Sequence, residues 1–278
     1  MRRLLLAPLN LLPTLVRHRF LLGQLAWRAF SARHAGSYLG WLWTPLSTGI
    51  QFALFLVVFS AILEIKVEGL GIDLARRPDV GFGVFLMTGL VPFLALNDAV
   101  LRAARVFRSH VTLVQRVRFP SEVLVVGDVL GILMHHGLAL VMVVAYCAVT
   151  GHVTVASLPW MALGVVLAAL WIVGLTLVVS VLGAFLPDVA EVIAVGLQIA
   201  FYAAPIVYPL SLIKHELLVA VVQLNPLTQL VGVIRAGLIG ASPPPLAVVA
   251  AMVVAGVALV AVGAAAVDRW RASIPDAL

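Results

Sequence analysis

The feature that most constrains this chain is the length of its apolar runs. Six stretches, roughly 39–63, 81–104, 122–149, 158–186, 189–213 and 245–267, are each long enough to cross about 30 Å of hydrocarbon as a helix. Lipid offers no water to satisfy a bare backbone, so a spanning segment must be a helix or part of a closed barrel. A barrel needs alternating strands of about 10 residues, and these runs are continuous and far longer. Composition agrees. Of 278 residues, 63% are hydrophobic and 11% charged, against about 25% charged in ordinary globular domains. A soluble chain this size needs more charged surface than that. The sequence therefore predicts an all-α polytopic membrane protein with six transmembrane helices in one domain.

The net charge of +6 rests on 18 basic residues, all arginine except Lys66 and Lys214. They gather at the ends of the apolar runs, which points to positive-inside topology and not to nucleic acid. With the N-terminus inside, the cytoplasmic face carries 13: those before residue 39, then Arg102, Arg105, Arg108, Arg116, Arg118, Arg269 and Arg271. The outer face carries 5, namely Lys66, Arg76, Arg77, Lys214 and Arg235. Both termini are therefore expected on the cytoplasmic side of the cytoplasmic (inner) membrane, as an even number of spans requires. The single cysteine, Cys147, excludes an intrachain disulfide and a cysteine-based zinc site. The first residues resemble a signal peptide, but Pro8 and Pro13 interrupt it and no small-residue cleavage site follows. No cleavage is expected.

Ahead of the first run, residues 14–34 have the spacing of an amphipathic helix. Arg17, Gln24, Arg28 and Ser31 share one face, and Leu15, Leu22, Leu25, Ala26 and Ala29 another, with Phe20 and Trp27 as boundary anchors. Such a helix lies in the membrane interface or packs on the protein itself. Arg28, Arg33 and His34 are the last basic groups before the first span, where Tyr38, Trp41 and Trp43 crowd the entry into hydrocarbon. The fifth run is the least regular, because Pro205 and Pro209 remove backbone donors from it. Beyond it, Lys214, His215, Glu216 and Asn225-Pro226 interrupt a moderately apolar segment. Two short re-entrant or interfacial helices fit that segment better than a span.

Charged groups inside spans are functional candidates by default, and here they are Asp98, Asp128, His135, His136 and Glu191. The adjacent histidines point about 100° apart on a helix, unlike a His-x-x-x-His metal pair. Asp188 and Glu191 open the fifth run, where carboxylates complement the helix dipole. Arg102, four residues after Asp98, offers that acid a partner, so structural pairing is expected. No catalytic constellation and no metal site emerges. A phosphate-cradling loop needs Gly-x-x-x-x-Gly-Lys-Ser/Thr, and neither lysine follows a glycine. ATP hydrolysis, if transport uses it, must belong to another polypeptide. Residues 105–122 mix arginine with Leu113, Val114, Val117 and Phe119 before Pro120 starts the next span. That pattern suits docking into a partner's groove as well as an ordinary positive-inside loop.

Four segments, Arg33-His-Ala-Gly-Ser-Tyr-Leu-Gly-Trp-Leu-Trp-Thr-Pro45, Gln115-Arg-Val-Arg-Phe-Pro-Ser-Glu122, Ala204-Pro-Ile-Val-Tyr-Pro209 with Asn225-Pro226, and the tail from Asp268, have an order and spacing that span nearly the whole chain. Together they resemble the transmembrane permease subunit of ABC-2 type polysaccharide exporters, the family that includes permeases for O-antigen, capsule and teichoic acid. The resemblance implies a transport subunit and not an enzyme: a homodimer working with two cytoplasmic ABC ATPase subunits. Those partners would hold ATP and Mg, and this chain no cofactor. It makes residues 14–34 the interface helix and residues 109–119 the coupling element, docking through Leu113, Val114, Arg116, Arg118 and Phe119. The re-entrant helices would gate the outer mouth, and the cargo would be a lipid-linked polysaccharide. Arg28 and Arg33 match phosphate oxygens bidentately, so they are candidates for a lipid pyrophosphate or for anionic membrane lipids. Aromatic rings stack on sugar C–H faces, which makes Phe52, Phe55, Phe59, Phe201, Tyr202 and Tyr208 candidates for a glycan channel or for packing. Two positions depart from the family pattern: His34 replaces an aromatic, and Pro187-Asp188 replaces an Arg-Asp pair. Alternatives are a permease for a small amphiphile or drug, and a membrane-embedded lipid or glycan transferase, which would need convergent acids or histidines.

Overall fold

Most of the apolar runs are helices. The structure, a computed structural model, describes residues 11–62, 81–116 and 120–278, and every regular element among them is helical. Helical residues 11–17 lead through a turn at His18 into α1 (Arg19–Ala32). A 3₁₀ turn, Gly40–Leu42, opens α2 (Trp43–Leu56), which continues as a π-helical segment, Val57–Ile62. Next come α3 (Phe82–Ala103), the short α4 (Val106–Ser109) and α5 (Val111–Arg116), then α6 (Ser121–Val149) and α7 (Leu158–Phe185). The chain ends with α8 (Val189–Tyr202), α9 (Glu216–Leu224), α10 (Pro226–Leu238), α11 (Leu246–Trp270) and α12 (Ile274–Ala277). Five helices, Gly40–Phe59 among them, are long and apolar enough to cross a membrane; the bent pair α9–α10 would make a sixth. The chain is a multi-pass helical membrane protein.

Prolines and glycines set the boundaries. Pro120 precedes α6, and prolines occupy the first turns of α7 and α10, where a missing N–H costs nothing. Asn225 caps α10 by accepting from the Leu227 N–H, and the axis bends by 81° between α9 and α10. Gly36 and Gly40 have φ of 80° and 52°, a region glycine enters without strain. They turn the chain between α1 and α2.

The helix α7 is the centre of the bundle, packed by α11, α10, α3 and α6. At its crossing with α11, a Cβ on Gly263 would lie 2.6 Å from the Leu177 Cβ. The absence of a side chain is what lets the two backbones close. One core gathers α3 residues such as Phe85, Met87 and Ala99 with Val231 and Val233 of α10. A second core, at the end bearing the arginine-rich loop, joins Phe107, Leu124, Leu177, Val181 and Ile274.

Several expectations change. The fifth run, read as 189–213, is α-helical only over Val189–Tyr202, with a 3₁₀ turn at Leu210–Leu212. Fourteen residues rise about 21 Å, short of the bilayer's ~30 Å, because Pro205 cannot continue the ladder. The amphipathic segment 14–34 is broken at His18, whose N–H still reaches Thr14 O at 3.0 Å. Its α1 portion packs on α6, with Leu25, Ala26 and Phe30 buried, while Phe20 and Trp27 stay exposed at the boundary. Arg235, counted as an outer-face charge, is buried in α10. Arg2, Arg3, Pro8, Lys66, Arg76, Arg77, Val117, Arg118 and Phe119 lie outside the described residues.

Candidate coupling and gating site

The 28–45 junction folds into a polar knot that ties four helices. Arg33, at the end of α1, donates from Nη2 to Asp98 Oδ2 of α3 at 2.8 Å. The same carboxylate oxygen lies 3.1 Å from Nε2 of His136 on α6. Asp98 thus finds Arg33 and not the expected Arg102, which instead bonds Asp128 Oδ2 from Nε at 2.6 Å. Four residues along a helix is a short step, but Asp128 is buried and needs a cation more. His34 Nδ1 sits 3.1 Å from Phe30 O, and its Nε2 3.0 Å from the Thr44 hydroxyl. That hydroxyl is 2.9 Å from His135 Nδ1. A neutral His34 donating to Phe30 O accepts from Thr44, which then accepts from the His135 Nδ1–H. Asp98, Asp128, His135 and His136 are thereby each paired within the protein.

Glycines seat α1 beside this knot. A Cβ on Gly127 would lie 2.7 Å from the Leu25 Cβ, and one on Gly131 would lie 2.6 Å from both Ala26 O and the Ala29 Cβ. Arg28 remains exposed. Five helical residues separate it from Arg33, about 140° around the axis, so the two guanidinium groups diverge.

The arginine-rich loop is clamped rather than free. Arg108 donates from Nε to Gly183 O at 3.0 Å and from Nη2 to Ala184 O at 3.1 Å, which satisfies the last carbonyls of α7. Arg105 pairs with Glu191 at the start of α8, Nη2 to Oε1 at 2.9 Å. Gln115 donates to Pro275 O at 3.3 Å. Leu113 and Val114 are half-buried against the second core, while Arg116 is exposed.

At the opposite end of α8 the chain breaks, and Arg235 holds the break. It donates from Nη1 to Pro205 O at 2.6 Å and from Nη2 to Ile206 O at 3.0 Å and Phe85 O at 3.1 Å. Its guanidinium carbon lies 3.5 Å from the centre of the Phe85 ring, a cation–π distance. Gly89 makes the room: a Cβ there would lie 2.8 Å from Nη2. One side chain therefore fastens α10 to α3 and to the Pro205 and Ile206 carbonyls beyond the end of α8. Sequence reasoning overlooked it by counting Arg235 only among the outer-face charges. The available signal was an isolated arginine in a helical apolar segment, which is a functional candidate in any membrane chain.

The aromatic candidates separate. Phe52 is buried and meets Tyr146 edge-on, with centroids 4.7 Å apart. Phe55 and Phe59 continue to Phe82 and Phe85 in a stack with centroid spacings of 6.0, 5.1 and 5.7 Å. Phe201 lies against Phe93 at 4.7 Å. Tyr202 is 61% exposed and Tyr208 donates to its carbonyl at 2.8 Å. The outward face of α2 is aliphatic instead, with Leu46, Ile50, Leu54 and Val57 uncovered.

The membrane bundle thus carries a clamped basic loop at one end and a bent helical pair at the other. Residues 21–239 match the ABC-2 type transporter family, and the chain belongs to it. It is 26% identical over 213 residues to the O-antigen export system permease protein RfbA of Myxococcus xanthus, covering 75% of each chain. Two permeases of the same name from Klebsiella pneumoniae are 22% and 20% identical over 203 residues, covering 72% of each chain.

Proposed function

We propose that this chain is the permease half of an ATP-driven exporter that moves a lipid-linked polysaccharide across the cytoplasmic membrane. The observation that carries the reading is the basic loop of α4 and α5, locked to α7 through Arg108 and to α8 through Arg105. A surface element so fastened transmits a push instead of absorbing it. With no phosphate-cradling motif in the sequence, the push must come from two cytoplasmic ABC ATPase subunits that bind ATP and Mg. Leu113, Val114, Arg116, Arg118 and Phe119 form their docking surface, and both termini lie on that same side of the inner membrane. The export role of the similar O-antigen permeases supports the choice of cargo.

The helix α8 is the strut in this mechanism. Its first turn is paired to the loop by Glu191, and the Pro205 and Ile206 carbonyls just past its far end are held to α10 by Arg235. Movement at the loop therefore reaches the outer re-entrant helices along one rigid element. The knot of Arg33, Asp98, His34 and Thr44 carries the same movement from α1 to α2. The uncovered faces of α2 and α8, the latter with Val192, Val195, Ile199 and Tyr202, support a homodimer whose path runs between the two copies. Tyr202 and Tyr208 offer rings to sugar there, and Phe52, Phe55, Phe59 and Phe201 form the wall behind. Arg28 is the exposed cation for a lipid pyrophosphate.

The test is charge reversal. Arg116→Glu with Arg118→Glu should strip the ATPase from the affinity-purified permease and stop export while the permease itself still reaches the membrane. Unchanged co-purification and export would remove the coupling role.

A further inference from the structure

At the end of the bundle opposite the α4–α5 loop, a cavity of about 950 Å³ opens between two walls. Trp171, Val248 and Met252 of α7 and α11 make one wall apolar, and Gln223, Gln229 and Arg235 bring polar atoms to the other. Its size is that of a ligand pocket, roughly 300–1,000 Å³. Arg235 is the one charged residue lining it among the described residues.

Among the described residues that charge has no counter-ion. Arg235 is 6% exposed, and its partners are three carbonyl oxygens and an aromatic ring, all neutral. Its buried Nε has no hydrogen-bond partner. Carbonyl dipoles orient a guanidinium but leave its full positive charge in place, and a buried charge without a counter-ion is costly. The groups surrounding the cavity thus call for an anion with hydrogen-bond acceptors, attached to something apolar enough to cover the half-buried Trp171 and Val248.

We propose that the cavity holds the phosphate head and adjoining chain of an anionic membrane lipid, one per chain. A zwitterionic lipid brings its own cation and gains less from Arg235. Free phosphate shares the head chemistry but leaves the apolar wall uncovered. The site is separate from the cargo path proposed between the α2 and α8 faces, and it does not depend on that reading.

The test is native mass spectrometry of the purified full chain exchanged into phosphatidylglycerol, phosphatidylcholine or inorganic phosphate. The unaltered chain should retain one phosphatidylglycerol about tenfold more tightly than phosphatidylcholine. Ala220 and Ala255 line the cavity and are exposed, so Ala220→Trp and Ala255→Phe fill it without disturbing the packed core. Each should lose phosphatidylglycerol by about tenfold with its thermal midpoint unchanged. Arg235→Gln should equalise the two lipids. Equal retention of both lipids by the unaltered chain, unchanged retention in both filled variants, or displacement of lipid by inorganic phosphate would each overturn the proposal.

Discussion

Replacing Gly131 with alanine tests whether α1 is seated on α6 as closely as the structure has it. The added Cβ would lie 2.6 Å from Ala26 O, 2.6 Å from the Ala29 Cβ and 2.9 Å from Phe30 N. Carbon atoms in contact settle at about 3.5–4.0 Å, so α1 must retreat by roughly 1 Å. Two of the three atoms are backbone, and no side-chain rotation relieves them. Overpacking of this kind costs about 1–3 kcal/mol, partly offset by alanine's better helix propensity, worth about 1 kcal/mol over glycine. The control lies on the same helix: a Cβ on Gly137 meets nothing within 4 Å. Gly137→Ala gains the propensity without the clash, so comparing the two variants cancels that effect and leaves about 1–3 kcal/mol. The consequence extends beyond stability. Arg33 and His34 follow Phe30 directly, and their bonds to Asp98 and Thr44 at 2.8 and 3.0 Å do not survive a 1 Å retreat, roughly, since contacts beyond ~3.5 Å are no longer hydrogen bonds. Thermal unfolding of the purified variants, with surface polysaccharide measured in cells, gives the readout. Gly131→Ala should melt below Gly137→Ala and export poorly. If the two melt together and export equally, α1 is not held against α6 and the knot does not couple them.

Two further predictions separate structural from incidental pairs. Asp128 is buried against a half-exposed Arg102, so Asp128→Asn should destabilise the protein by about 1–3 kcal/mol. Glu191→Gln breaks an exposed pair and should cost under about 1 kcal/mol, with any loss showing in export. Chemical denaturation of both variants checks the contrast. Arg235→Lys keeps the charge but loses the planar fork and the stacking on Phe85, so it should cost about 2 kcal/mol and impair export while the ATPase still associates; a variant indistinguishable from wild type in both would exclude the clasp.

Most of the helices could be read from the sequence because lipid imposes one rule, about twenty apolar residues per crossing, and five long helices obey it. The fifth run misled because apolar composition continues past Tyr202 while Pro205 ends the backbone ladder; hydropathy does not register a missing N–H. The bend at Asn225-Pro226 was visible, since a capping asparagine followed by proline marks a helix start. Pairing between helices was not visible. Arg102 lies one turn from Asp98 yet reaches across to Asp128, because which side chains meet depends on how α1, α3 and α6 are rotated. That rotation is set by small residues such as Gly127 and Gly131, which carry no signal of their own in an apolar run. The aromatic residues show the same limit. Spacing put Phe52, Phe55 and Phe59 on one face of α2, but only the fold shows that this face turns inward.

The central claim is that the chain exports a lipid-linked polysaccharide. The most direct measurement is deletion of its gene, followed by analysis of surface glycan and of lipid-linked precursor. The predicted result is loss of one surface polysaccharide with its lipid-linked precursor accumulating on the cytoplasmic face, restored by the intact gene but not by Arg116→Glu/Arg118→Glu. Unchanged surface glycan, or its loss with no precursor accumulating, would contradict the export role.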